Sequence, residues 1–204
     1  MQEKEFVFVL GGPGSGKGTH SVQIAKDYNI GYLSTGDLLR AATQPLPEGV
    51  VDTRTQEEKD MNENIKNLMK NGQLVPDEVV LNLVKLEIKK QNKKYFFLDG
   101  FPRSIAQAEK FEKQIGNCKA VLFLDVPDDV LLSRLVKRGQ TSGRADDNEE
   151  AAKKRLVTYH QISYPVIEYY APKGKVIRID SNKSIQEVHN NFISELKDKL
   201  HWEL

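Results

Sequence analysis

Five short apolar runs punctuate a chain whose other segments carry apolar residues at helical spacing. The runs are Phe6–Leu10, Gly31-Tyr32-Leu33, Tyr95–Leu98, Val121–Leu124 and Val176–Ile179. Short apolar runs of this kind have the look of buried parallel strands. Between them, Val22, Ile24, Ala25 and Tyr28 mark the apolar side of a first helix. Met61, Ile65, Leu68 and Met69 share one face of a helix expected over Asp60–Lys70, closed by Asn71-Gly72. Val80, Leu81, Val84 and Ile88 form the face of another, with Asp77 as its N-cap candidate. This βαβ alternation predicts an α/β fold with a five-stranded parallel sheet flanked by helices.

Capping signals sharpen the outline. Ser34 to Asp37 offers helix-capping oxygens ahead of Leu38 and Leu39, and Ser104 and Pro127 each open a further helix. A long helix over Asn148–Tyr170 should bend near Pro165, and Ser184-x-x-Glu187 reads as a capping box for the last one, ending near Leu200. From Thr43 to Asp60 the pattern breaks down, because Pro45, Pro47 and Gly49 preclude a regular helix.

Length and charge narrow the classes. The 204 residues suit one domain of moderate size, and 30 Lys+Arg against 29 Asp+Glu leave a net charge of +1. The chain is therefore no general polyanion binder, so no nucleic-acid partner is expected. Affinity for phosphates must come from local arginine clusters. The single Cys118 excludes an intramolecular disulfide and a Cys₄ zinc site, and reads as an inert residue near a strand. The charged Met1–Glu5 makes no signal peptide, and no apolar run approaches the ~20 residues that span a bilayer. A soluble, cytoplasmic protein without a membrane partner is the expectation.

The chemistry concentrates where the first run meets Gly11-Gly12-Pro13-Gly14-Ser15-Gly16-Lys17-Gly18-Thr19. Gly11-x-x-x-x-Gly16-Lys17 between a strand and a helix is the spacing of a phosphate-binding loop. Its glycines let backbone N–H groups curl around an anion at a helix N-terminus, and Lys17 adds a mobile charge. Most such loops place a Ser or Thr that ligates Mg²⁺ directly after the lysine. Here that position is Gly18, and the hydroxyl comes at Thr19. Three runs end in acids, Asp99, Asp125 and Asp180, at the strand ends where ligands of open α/β sheets bind. Asp99 resembles the acid that reaches toward Mg²⁺ in phosphate-loop enzymes. The other two read as cap or turn residues. Arg40, Arg103, Arg134, Arg138, Arg144 and Arg155 sit at element ends or in loops, and arginine suits multidentate phosphate recognition. Arg134 and Arg138 lie four apart and face the same way. His20 and His160 have no catalytic partner nearby and read as packing or surface residues. Without a nucleophile–base pair, phosphoryl transfer to an acceptor that is already anionic fits best. A nucleoside monophosphate, with a second pKa of about 6, is one.

The glycine loop is joined by Leu33-Ser34-Thr35-Gly36-Asp37-Leu38-Leu39-Arg40, Gly72-Gln73-Leu74-Val75-Pro76 and Asp99-Gly100-Phe101-Pro102-Arg103, in that order. Lys137-Arg138-Gly139-Gln140-Thr141-Ser142-Gly143-Arg144-Ala145-Asp146-Asp147 completes the set. Over nearly its whole length the chain resembles the short-lid adenylate kinases, nucleoside monophosphate kinases of the P-loop NTPase fold. The resemblance implies a core (1–33, 76–136, 148–204), a mobile monophosphate-binding segment (34–75) and a mobile lid (137–147). It implies a monomer acting on ATP, AMP and ADP with Mg²⁺. ATP would be held by Gly14, Ser15, Gly16, Lys17, Gly18, Thr19, Arg134, Arg138 and the backbone of Lys183. AMP would be held by Thr35, Arg40, Gln73, Leu74, Val75, Gly100, Phe101, Pro102, Arg103 and Gln107. Lys17, Arg138, Arg144 and Arg155 would serve the transfer itself, Arg144 and Arg155 clamping the moving phosphoryl group. Gly18 is usual in this family, so Mg²⁺ would be held through nucleotide oxygens and waters, with Asp99 in the outer shell. His20 stands where the family usually has Gln, and Thr43–Asp60 is longer than short members require. UMP/CMP kinases are the near alternative, but usually carry Ala at Thr35 and Asn at Gln107. A non-catalytic nucleotide-binding module is the alternative from another class. Asn182-Lys183-Ser184-Ile185 lacks the acid of a guanine reader, and such a module would have no use for the arginines.

Overall fold

A computed structural model describes residues 4–46, 48–141 and 148–202. Strands β1 (Glu5–Gly11), β2 (Gly31–Ser34), β3 (Tyr95–Asp99), β4 (Cys118–Asp125) and β5 (Val176–Asp180) form one sheet in the order β2-β3-β1-β4-β5. Every pairing is parallel. Alternation along β1 divides the core. Phe6, Phe8 and Leu10 face one layer, while Val7 and Val9 face the other. The first layer packs against helices α2 (Thr35–Ala42), α3 (Gln56–Lys70), α4 (Asp77–Lys90), α5 (Ile105–Gln114) and α8 (Tyr164–Tyr170). The second packs against α1 (Lys17–Asp27) and α9 (Ile185–Leu200). Val188, Phe192, Leu196 and Leu200 recur every four residues along α9 and are all buried. Each such side chain contributes about 1.5–3 kcal/mol on burial, enough to hold a helix whose other faces are polar. Trp202 then stacks 4.3 Å from the Tyr95 ring and donates to Glu5 Oε2, closing the sheet end opposite the glycine loop.

Most expected boundaries hold, and the exceptions have local causes. α3 begins at Gln56, four residues ahead of the expected Asp60. Thr55 Oγ1 accepts from Glu58 N while Glu58 returns the bond to Thr55 N, a capping box set within a polar stretch. At α4 the expected cap, Asp77, is the first helical residue. Pro76 precedes it and no side chain caps the end. The expected bend near Pro165 is a π-helical turn, Tyr159–Ser163, between α7 (Glu149–Thr158) and α8. It absorbs the backbone bond that proline cannot donate. Val22 and Met61, expected on apolar faces, are 49% and 53% exposed. Of the segment ahead of α3, Val51 is 79% exposed, and Asp52 takes a bidentate pair from Arg54.

Candidate functional site

The C-terminal ends of β1 and β3 open into a cleft of about 680 Å³. Its floor is the glycine loop, and the loop's shape depends on a lack of side chains. A Cβ on Gly12 would stand 2.3 Å from Leu131 Cδ1 of α6 (Asp128–Gly139). Gly14, at φ +90°, would bring its Cβ within 2.9 Å of the Leu131 carbonyl, so only glycine fits a turn pressed this closely onto α6. Ser181 Oγ donates to Ser15 O at 2.9 Å and braces the loop from beneath.

Lys17 follows on the first turn of α1. Its Nζ donates to the carbonyls of Gly11 at 2.8 Å and Gly12 at 2.9 Å, and to Ser15 Oγ at 3.3 Å. Burial, aided by the nearby Arg103, Arg155 and Arg138 and opposed by Asp99, lowers its pKa to about 8. Four cationic side chains therefore converge on one spot, at a standing electrostatic cost that a polyanion would remove. Arg134, from the same face of α6 as Arg138, lines the cleft and donates from Nη2 to Ser181 O at 3.1 Å.

The opposite wall comes from α2, the Gln73-Leu74-Val75 turn and the loop after β3. Arg40 lines it, paired with Asp37. Arg103 donates from Nε to Gly100 O at 3.0 Å, and its own carbonyl accepts from Ser163 Oγ at 3.0 Å. Thr35 and Gln107 are buried together beside a small cavity of about 10 Å³, with Leu74, Val75 and Gly100. Thr35 Oγ1 donates to Gly100 O at 3.1 Å, and Gln107 Oε1 accepts the Arg103 N–H at 2.8 Å. That bond fixes the amide orientation and leaves Gln107 Nε2 as a donor for an incoming group. Gly72, at φ +69°, lies against α7, where a Cβ would stand 3.0 Å from Arg155 Cγ. The α3 end thus abuts the helix that carries Arg155.

The structure brings together at this cleft Gly14, Gly16, Lys17, Gly18, Thr19, Arg40, Gln73, Leu74, Val75, Asp99, Gly100, Pro102, Arg103, Arg134, Arg138 and Arg155. Ser15 and Phe101 are fully buried and do not line it. Lys183 is exposed, 3.8 Å from Asp180, and does not line the cleft. Arg144 and residues 142–147 of the expected lid lie outside the described residues. His20 is a buried packing residue and His160 pairs with Asp128, while Asp125 and Asp180 serve turns and ion pairs. Burial pushes the Cys118 thiol up to about 12, so it is inert. Sequence reasoning missed Tyr32, whose hydroxyl donates to Asp99 Oδ2 at 2.7 Å, and Thr158, Tyr159 and Ser163 of the π-helical region. Strand parity could have found Tyr32, because it shares a face of β2 with Ser34.

Asp99 is 8% exposed at the end of β3, and burial pushes its carboxyl up while Lys17 and the Tyr32 phenol pull it down. Among the described residues no cluster of three or more His, Cys, Asp or Glu could hold a metal alone. A single carboxylate, Asp99, suits a hard cation that arrives bound to phosphates.

The family model for adenylate kinase matches residues 9–175. The chain belongs to the adenylate kinase family. It is 44% identical to the uridylate kinase of Saccharomyces cerevisiae, over 95% of this chain and 91% of that protein. It is 43% identical to the UMP-CMP kinase of Lentinula edodes, over 90% and 81% of the two chains. It is 42% identical to adenylate kinase isoenzyme 1 of Caenorhabditis elegans, over 93% and 86%. An α/β phosphotransferase with its phosphate loop at the central strand is what this adenylate kinase-family chain displays.

Proposed function

We propose that the chain catalyses Mg²⁺-dependent ATP + AMP ⇌ 2 ADP. The supporting observation is the convergence of Lys17, Arg103, Arg138 and Arg155 between a glycine loop and a second, separate pocket. In this reading Gly14 to Thr19, with Arg134 and Arg138, hold ATP. Arg40, Arg103 and the Gln73–Val75 backbone hold the monophosphate. An oxygen of the AMP phosphate attacks the γ-phosphorus, the bond to the β-phosphate oxygen breaks, and ADP leaves from each side. No general base is needed, because the acceptor is largely dianionic at neutral pH. Lys17, Arg138, Arg144 and Arg155 neutralise charge on the transferring group. Mg²⁺, when bound with the nucleotide, would neutralise charge on the phosphates, and Asp99 would hold it through water.

A cavity of about 10 Å³ holds one water at most, so a base enters only if the 34–75 segment opens. Its movement, with that of the 137–147 lid, would exclude water and suppress hydrolysis. Gln107 and Thr35 favour adenine, and the Gln107 Nε2 donor suits a ring nitrogen that accepts. The identity to relatives named uridylate and UMP-CMP kinase supports a second reading, transfer to pyrimidine monophosphates. Among the described residues no helix is long and apolar enough to cross a membrane. The reading carries with it a monomeric, cytoplasmic enzyme.

The test is ATP formation from ADP alone, followed by efficiencies with AMP, UMP, CMP and GMP. AMP should lead. A lead for UMP or CMP transfers the chain to the second reading, failure with every acceptor removes both, and sedimentation as a dimer removes the monomer.

A further inference from the structure

The residue after the loop lysine is Gly18, and what faces it is informative. A Cβ there would stand 3.4 Å from Asp99 Oδ2 and 3.6 Å from the Tyr32 hydroxyl. The place where most phosphate loops put a metal-ligating hydroxyl is thus bordered by a phenol from a different strand. Tyr32 reaches it because β2 lies beside β3, with Ser34 in register with Asp99 and Tyr32 in register with Phe97. Its hydroxyl donates to Asp99 Oδ2 at 2.7 Å, within the range of charge-assisted bonds.

We infer that Tyr32 is a positioning residue for the metal-bound nucleotide, fixing the Asp99 carboxylate so that it serves the cation's water shell. Lys17 exerts the competing pull. Without the phenol, Asp99 Oδ2 loses the donor that orients it, and the carboxylate can turn away from the cation's water shell. The inference rests on the Mg²⁺ reading given above.

Tyr32→Phe keeps the ring and removes only the hydroxyl. Calorimetric titration would compare ATP binding in Mg²⁺ with ATP binding in EDTA, for wild type and variant. The variant should bind MgATP about tenfold more weakly and metal-free ATP within about twofold of wild type, as loss of one hydrogen bond to a charged group implies. The Mg²⁺ concentration for half-maximal turnover should rise in step. Equal weakening of both nucleotide forms, or an early melt with the preference retained, would reduce Tyr32 to a space-filling residue. An unchanged ratio would overturn the inference outright. A wild-type enzyme indifferent to Mg²⁺ would remove the underlying reading as well, and that result is visible before the variant is made.

Discussion

On the β1 side of the cleft, parts interlock before any ligand arrives: Gly12 and Gly14 are pressed onto Leu131, Ser181 braces Ser15, and Lys17 is held by three loop acceptors. On the α2–α3 side, Arg40 is paired only with its neighbour Asp37, and the cavity beside Thr35 and Gln107 has room for about one water. The first side rests on central strands and is preorganised, while the second rests on helices α2 and α3 and encloses little space. The proposed division follows from this contrast. A triphosphate needs fixed N–H groups, whereas discrimination between bases gains from a pocket that closes only on the right one.

The arginines between the two sides give the largest expected effect. Arg138→Ala and Arg155→Ala should each cut turnover by at least ~10²-fold, since arginines in this role contribute on the order of 10³–10⁵. Melting temperature should hardly move. A loss of only a few-fold in either variant would demote that arginine to a bystander charge.

The double change Thr35→Ala, Gln107→Asn should disturb only the α2–α3 side. Each hydrogen bond contributes about 0.5–1.5 kcal/mol, so the ratio of AMP to UMP efficiency should fall by roughly one to two orders of magnitude. The KM for ATP should stay put. A constant ratio would mean that backbone near Leu74 and Val75 reads the base.

Lys17 supplies a pH test of the β1 side. Its pKa is lowered to about 8, so the free enzyme loses this charge above that pH, well before an ordinary lysine would. The kcat/KM for ATP should decline above pH 8, approaching about tenfold per unit, because it reports the free enzyme. Bound phosphates restore the proton, so kcat should stay level over the same range. A matching fall in kcat would show that nucleotide does not contact this ammonium.

The smallest effect belongs to the excursion before α3. Removing Pro45–Arg54 should change turnover less than tenfold, because exposed loops tolerate length changes at small entropic cost. Loss of AMP affinity would tie the excursion to the α2–α3 wall.

What could be read from sequence follows from where the physics is local. The three central strands are nearly continuous apolar runs and were legible for that reason. The shorter edge strands β2 and β5 were legible from their apolar positions, as was the glycine loop. The start of α3 was not, because Thr55 and Glu58 cap it from a stretch with no apolar periodicity. Val22 looked like core by spacing but borders the cleft, where an apolar side chain can face a ligand. Tyr32 and the π-helical contacts to Gly72 and Arg103 are tertiary, joining residues far apart in the chain. Gly72 was legible as a helix stop, but its contact with Arg155 required the fold.

The strand order also bears on how the chain is made. β1 emerges early, yet its partners are β3 and β4, with Glu5 opposite Tyr95 and Leu10 opposite Phe123. At roughly 5–20 residues per second, Phe6–Leu10 waits on the order of ten seconds for the strands that cover it. During that interval α1 can cover the Val7 and Val9 face, but both edges of β1 lack their partner strands. The strand that presents the glycine loop therefore gains its full set of neighbours only once β4 has been made.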